Sequence, residues 1–275
     1  WLRRPVQTDK SYSETHNALK KNGLHTVCED AKCPNRHECW NNGTATIMIL
    51  GNICTRACRF CSILTGRPTG LDTEEPVRVA DAVQKMGLKH VVITSVTRDD
   101  LRDGGAEIFA QTIERVKERM PTITVEVLTP DFWGRKENLY KVLDAGPIVF
   151  NHNIETVKRL QRSIRSGATY SRSMKILKLA SEHSDIKVKS GIMVGLGESK
   201  DEVMETIRDL YENGVRLLTI GQYMCPTKEH APIDRFVEPS EFLELEQLAY
   251  KVGFDAVASG PLVRSSYRAD KMIKM

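Results

Sequence analysis

From Thr46 onward two patterns alternate along the chain. Short runs of consecutive apolar, mostly β-branched residues fall at 46–50 (TIMIL), 90–95 (HVVITS), 122–128 (TITVEVL), 147–150 (PIVF), 187–194 (KVKSGIMV) and 216–221 (RLLTIG). Continuous apolar runs of this length predict strands buried on both faces. Between them, apolar residues recur every three or four positions near 77–86, 105–119, 135–144, 171–183, 199–213 and 239–252. That period predicts amphipathic helices. The 199–213 stretch marks its own ends, with Ser199 as cap, Asp201 and Glu202 in the first turn and Gly214 just beyond. Six strand–helix pairs in succession predict an α/β fold with a parallel sheet and right-handed crossovers. Eight pairs close a full barrel. Six leave two alternatives, an open partial barrel or a doubly wound sheet. Ahead of Thr46 the pattern is polar and basic, with a helix expected over 13–21 and stopped by Gly23.

Composition narrows the class without naming it. At 275 residues, 40% hydrophobic and 28% charged, the chain can bury a full globular core. Its 40 Lys and Arg against 36 Asp and Glu leave a net charge of +4. That is too mild to call for nucleic acid, yet it permits an acidic protein partner. No apolar run approaches the ~20 residues of a membrane span, and no signal peptide opens the chain. The chain starts at Trp1 rather than Met, which points to a native N-terminus further upstream. Six of the seven cysteines lie between Cys28 and Cys61. A secreted disulfide scaffold spreads its cysteines, so this clustering reads as metal ligation in a reducing compartment. The cytosol is the first choice, with an organelle matrix as the alternative.

The cysteines form two incomplete sets. Cys54, Cys58 and Cys61 are spaced C-x3-C-x2-C in the loop after the first predicted strand. Three thiolates suit an iron–sulfur cubane with one iron left open, and an open coordination position marks a reactive metal site. Cys28, Cys33 and Cys39 are spaced C-x4-C-x5-C, again with no fourth cysteine nearby. Zinc completed by His25 or His37 is the alternative for this second set.

In either α/β architecture ligands sit at the carboxyl ends of the strands. Those ends read SVTRDD (95–100), TPDFWG (129–134), NHNIET (151–156), GIMVGLGE (191–198) and GQYMCP (221–226). Asn153 and Glu155 carry side chains suited to ribose hydroxyls, and Ser95 and Arg98 are weaker candidates of the same kind. His152 is expected to be a satisfied structural histidine.

The C-x3-C-x2-C loop, with Phe60 before its third cysteine, resembles that of the radical S-adenosylmethionine enzymes. Together with CEDAKCPNRHECW, SVTRDDLRDGGA, NHNIETV, MVGLGE and VRSSYRAD, the chain from about Val27 to Asp270 resembles the lipoyl synthase family. The resemblance implies a partial (β/α)6 barrel over 46–258. An N-terminal extension (1–45) and a C-terminal tail (259–275) would cover the barrel mouth. It implies two [4Fe-4S] clusters and S-adenosyl-L-methionine. Cys54, Cys58 and Cys61 would hold the reactive cluster. Cys28, Cys33, Cys39 and a tail serine, Ser265 or Ser266 with Ser266 chosen, would hold an auxiliary one. Asn153, Glu155, Ser95 and Gly195 would contact S-adenosylmethionine, Gly195 because a glycine lets a planar ring approach the backbone.

The reaction so implied inserts two sulfurs at carbons 6 and 8 of an octanoyl-lysine. The octanoyl-lysine belongs to a lipoyl carrier domain or to the glycine-cleavage carrier protein. An electron donor such as ferredoxin or flavodoxin is implied, and neither nucleic acid nor membrane. One departure stands out: Cys225 occupies the position of the family's usual glutamine, and a small buried hydrophobe is expected there. The basic run Lys158, Arg159, Arg162, Arg165 and Arg172 is either a docking face for an acidic carrier or a solvated helix face.

Overall fold

The computed structural model describes residues 23–30, 33–41, 44–183 and 185–273; the helix expected over 13–21 lies outside them. The chain forms two compact units. One comprises the described residues up to Thr55 together with Ile63–Ile148, and the other comprises Arg56–Ser62 and the described residues from Val149 onward.

In the first unit, β1 (His25–Thr26) pairs antiparallel with β2 (Thr46–Ile49). A small parallel pair, β3 (Ile53–Cys54) with β4 (Leu64–Thr65), brackets the cysteine loop. β2 pairs in parallel with β5 (His90–Ser95), and β5 with β6 (Thr124–Leu128). Short helices α1 (Val27–Asp30) and α2 (Arg36–Asn41) precede the parallel strands, which α3 (Glu75–Met86), α4 (Ala106–Arg119) and α5 (Lys136–Asp144) accompany. Ile47, Ile49, Val91, Ile93, Val125 and Val127 are buried, as are Val79, Val83, Phe109, Ile113 and Leu139 on the helices. Burying each such side chain contributes roughly 1.5–3 kcal/mol.

The second unit repeats the scheme. β7 (Val149–Asn151), β8 (Lys187–Val194), β9 (Leu217–Gln222) and β10 (Ala256–Gly260) pair in parallel in that order. Its helices are the single turn α6 (Gln161–Ile164), then α7 (Tyr170–His183), α8 (Lys200–Glu212) and α9 (Pro239–Val252), with α10 (Ala269–Met272) in the tail. α8 opens on the full capping box expected from Ser199 and Glu202, and Gly214 follows with φ 86°.

All six predicted strands and all six predicted helices are present within two residues of their expected ends. β10 is an addition that periodicity did not predict. Its sequence AVASG has too little bulk to stand out as an apolar run, and its pairing with β9 through Ala256–Gly260 makes it a strand.

Candidate functional site

The N-terminal triplet lies in the first unit on a tightly turned path. Cys33 N–H donates to the Cys28 carbonyl at 3.1 Å, Arg36 N–H to the Cys33 carbonyl at 3.3 Å, and Cys39 N–H to the Asn35 carbonyl at 2.9 Å. Thr44 closes the end, its N–H and its hydroxyl each donating to the Cys39 carbonyl at 2.9 Å. Burial, then repulsion from Cys33, pushes the Cys28 thiol up to about 11. Burial, then repulsion from Cys28 and Cys33, pushes Cys39 up to about 12. All three sulfurs therefore lie within one another's electrostatic reach, and as thiolates they repel one another and call for positive charge. A cluster's iron would supply that positive charge, so the set fits a multi-iron group.

His25 is turned to Asp30 at 3.8 Å. Among the described residues, no three Cys, His, Asp or Glu converge on one point as a lone ion requires. Thiolates bound to separate irons of a cubane need no such convergence.

The second triplet begins in the first unit, where the chain leaves β2 through Leu50 in the left-handed region (φ 68°). Three groups hold that corner. Leu50 N–H donates to Glu75 Oε2 at 2.6 Å. Arg98, 3% exposed, donates to the Leu50 carbonyl at 3.4 Å and to the Gly70 carbonyl at 2.9 Å, with Asp100 neutralising it. A Cβ on Gly105 would lie 2.2 Å from Leu50 Cδ1, so only glycine fits against the corner. Burial raises the Glu75 carboxyl above the usual range, although the Leu50 and Gly51 N–H groups pull it down. Arg98 is thus a clamp on the loop's origin.

Beyond the corner, Thr55 N–H and its hydroxyl each reach the Thr97 carbonyl at 3.0 Å, and Thr97 N–H points at Cys54 Sγ at 3.4 Å. Ser95, at the end of β5, holds a buried hydroxyl that makes no hydrogen bond with the described residues.

Cys58 and Cys61 belong to the second unit and are joined by Cys61 N–H to the Cys58 carbonyl at 3.1 Å. Arg59 N–H donates to the Ile164 carbonyl and Ala231 N–H to the Arg59 carbonyl, both at 2.8 Å. Phe60 packs with Ile164, Leu196, Tyr223 and Ala231. His230 Nε2 lies 2.9 Å from the Cys61 carbonyl. The sequence carries no sign of this last contact, because His230 sits in a polar loop 169 residues away.

After β7 the backbone swings through Glu155, whose φ of 67° and whose bonds with Gly191 (3.0 Å) and Met193 (2.8 Å) stitch it to β8. Burial raises the Glu155 carboxyl, opposed by the Arg165 charge and by the Asn153 amide bonded to it. Asn153 Oδ1 is buried and accepts no hydrogen bond from the described residues. Gly191 makes room for it, since a Cβ there would lie 2.8 Å from that oxygen. An orphaned acceptor beside a raised carboxyl fits a ligand rich in hydroxyl or amino donors, as S-adenosylmethionine is. Gly195 is accounted for differently: its missing Cβ accommodates Gln222 Nε2 (2.3 Å) and the Arg235 carbonyl (2.6 Å) of the protein itself. His152 is buried against Ser173 Oγ at 2.9 Å, the structural histidine expected.

The tail folds onto β9. The Val263 carbonyl lies where a Cβ of Gly221 would be, 2.3 Å from it, and the Arg264 guanidinium donates to the Gln222 carbonyl at 3.3 Å. Tyr267 N–H closes a turn on the Arg264 carbonyl at 2.9 Å, with half-buried Ser265 and Ser266 at its centre.

Two expectations need correction. Arg165 is no part of a docking face: it is 8% exposed and bonds the Ile154 carbonyl (3.3 Å), Gln161 (3.4 Å) and Ser173 (2.9 Å). Arg159 is exposed and paired with Glu202, and half-buried Arg172 is engaged with the Gly167 carbonyl, while Lys158 and Arg162 are exposed as well. Cys225 is half-buried rather than buried. It packs against the Phe60 cluster while its thiol reaches the Thr227 carbonyl at 2.9 Å.

Residues 48–210 match the Radical SAM superfamily. The fold is shared with methylornithine synthase, at TM-score 0.56 and 17% identity over 81% of this chain and 73% of that one. The chain is 55% identical to the lipoyl synthase of Rubrobacter xylanophilus over 98% of its own length and 84% of that protein's. It is 52% identical to the lipoyl synthase of Halalkalibacterium halodurans over 99% of its length and 91% of that protein's. A parallel strand–helix succession, two three-cysteine sets and identity of this order over nearly the whole chain have one reading: the chain belongs to the lipoyl synthase family of radical S-adenosylmethionine enzymes.

Proposed function

We propose that the protein inserts two sulfur atoms, at carbons 6 and 8, into an octanoyl chain in amide linkage on a carrier-protein lysine. The observation that carries this reading is the coexistence of three features in one chain. They are a C-x3-C-x2-C loop, a C-x4-C-x5-C triplet and a serine turn seated on β9 through Gly221. In this reading Cys54, Cys58 and Cys61 hold the reactive cubane; Cys28, Cys33, Cys39 and Ser266 hold the auxiliary one. When bound, the clusters and S-adenosylmethionine supply the radical that abstracts hydrogen and the sulfide that replaces it.

The chain's own residues provide placement. Asn153 and Glu155 present an acceptor and a carboxyl to the cofactor, and Ser95 offers a hydroxyl from the first unit. Thr97 N–H holds the Cys54 sulfur, and the Glu75–Arg98–Gly105 corner fixes where the loop begins. A saturated chain offers no polar handle, so selection of two carbons rests on such rigid placement. The carrier is a lipoyl domain or the glycine-cleavage carrier protein, and the reductant a ferredoxin or flavodoxin. The protein works in a reducing compartment, the cytosol first. Among the described residues no helix is long and apolar enough to cross a membrane. Anaerobic turnover with an octanoyl-lysyl peptide tests the reading. The expected product is heavier by two sulfurs, made by brown protein with about eight irons per chain; a product without sulfur overturns it.

A further inference from the structure

The segment that carries Cys58 and Cys61, Arg56–Ser62, has neither helix nor strand to stiffen it. Its shape is imposed from outside, and two successive residues do much of that. Ala231 N–H captures the Arg59 carbonyl at 2.8 Å, and the His230 imidazole captures the Cys61 carbonyl at 2.9 Å. The Arg59–Phe60 and Cys61–Ser62 peptide planes are thereby fixed. A carbonyl only accepts, so His230 Nε2 is the donor. Nδ1, 2.8 Å from Thr227 Oγ1, then accepts the threonine's proton. The Thr227 carbonyl is itself held by the Cys225 thiol at 2.9 Å.

We infer that His230, oriented by Thr227, is a positioning residue for Cys61: it fixes the Cys61 peptide plane and so the direction in which the thiol points. The inference rests on the reading of Cys54, Cys58 and Cys61 as cluster ligands. The reason is geometric. A ligand sulfur reaches its metal along one Cα–Cβ direction, and a loop ligand keeps that direction only while its own peptide is held. Without the imidazole, the partly buried Cys61 carbonyl loses its donor and the peptide can rotate.

The test uses the full chain with Cys33→Ala, so that iron reports on the Cys54–Cys58–Cys61 set alone. In that background His230→Ala, His230→Gln and Thr227→Val are purified anaerobically. Chelator-driven iron loss and the electron paramagnetic resonance of the reduced cluster are compared. His230→Ala is expected to lose iron about tenfold faster, with a changed signal. His230→Gln, whose amide nitrogen can stand in for Nε2, should return both readouts toward the parent. Thr227→Val should shift them the same way by a smaller factor, and it keeps the test available if His230→Ala fails to fold. Iron loss and signal unchanged in His230→Ala overturn the inference, as does a folded His230→Gln no better than alanine. A parent that binds no cluster overturns the ligand reading itself, and the assignment of His230 with it.

Discussion

The two cysteine triplets have the same ligand count and are built in opposite ways. Cys28, Cys33 and Cys39 lie in one unit on linked turns, two of them buried enough that their thiols are pushed up to about 11 and 12. Cys54, Cys58 and Cys61 lie on a loop with little regular structure, divided so that the first belongs to one compact unit and the others to the second. Their positions come from borrowed anchors: Thr97 on Cys54, His230 on Cys61, Ile164 and Ala231 on Arg59. The first triplet is shaped by local sequence, the second by distant contacts. Cys28 and Cys39, their thiols pushed up, resist deprotonation until metal arrives. Cys54, Cys58 and Cys61 are half-buried and held by backbone donors and carbonyl clamps.

The largest expected effect divides the two sets by task. Cys58→Ala should abolish 5'-deoxyadenosine formation, whereas Cys33→Ala should retain it and stop sulfur insertion, both read by chromatography and product mass. If both variants lose only stability, the sets do not differ in role.

Next comes reactivity in protein stripped of metal. At pH 8, Cys28 and Cys39, raised from 9.0 to about 11 and about 12, should alkylate at least about a hundredfold more slowly than an ordinary thiol. Peptide mass spectrometry gives each rate, and rates equal to those of Cys58 and Cys61 would erase the contrast.

Gly221→Ala should act on the auxiliary side alone. Its Cβ would meet the Val263 carbonyl at 2.3 Å and lift the serine turn. Overpacking of about 1–3 kcal/mol predicts a loss of sulfur insertion of about tenfold, with deoxyadenosine yield unchanged.

The smallest effect concerns the origin of the reactive loop. Glu75→Ala leaves the Leu50 N–H buried without its acceptor, a cost of about 1 kcal/mol in denaturant unfolding. It should also change the pH dependence of stability. The Glu75 carboxyl is raised above its ordinary 4.5 by burial. Its contribution is therefore fully present below 4.5 and is lost as pH rises through the folded value. The alanine variant should lack that decline, which stability curves measured above pH 4.5 will reveal.

Much of the frame was legible in residue order. Runs such as TIMIL and HVVITS and the capped helix at Ser199 carry local signals, and the structure keeps them nearly to the residue. β10 was not legible, since AVASG becomes a strand only by pairing with β9. Asn153 and Glu155 could be nominated from a strand end, but the orphaned Asn153 oxygen and the room that Gly191 leaves for it are facts of packing. Arg165 and Arg159 belong to one basic run in the sequence, yet one is buried beside Glu155 and the other paired on the surface.

By itself, then, the sequence determined the alternation of strands and helices, the two cysteine spacings and the serine-bearing tail, because each depends on neighbours a few residues apart. Tertiary structure alone decided which groups hold those cysteines: Glu75 on Leu50, 25 residues away, Thr97 on Cys54, 43 away, and His230 on Cys61, 169 away. A hydrogen bond between distant residues leaves no period in a sequence, and it exists only once the packing of the core has brought donor to acceptor.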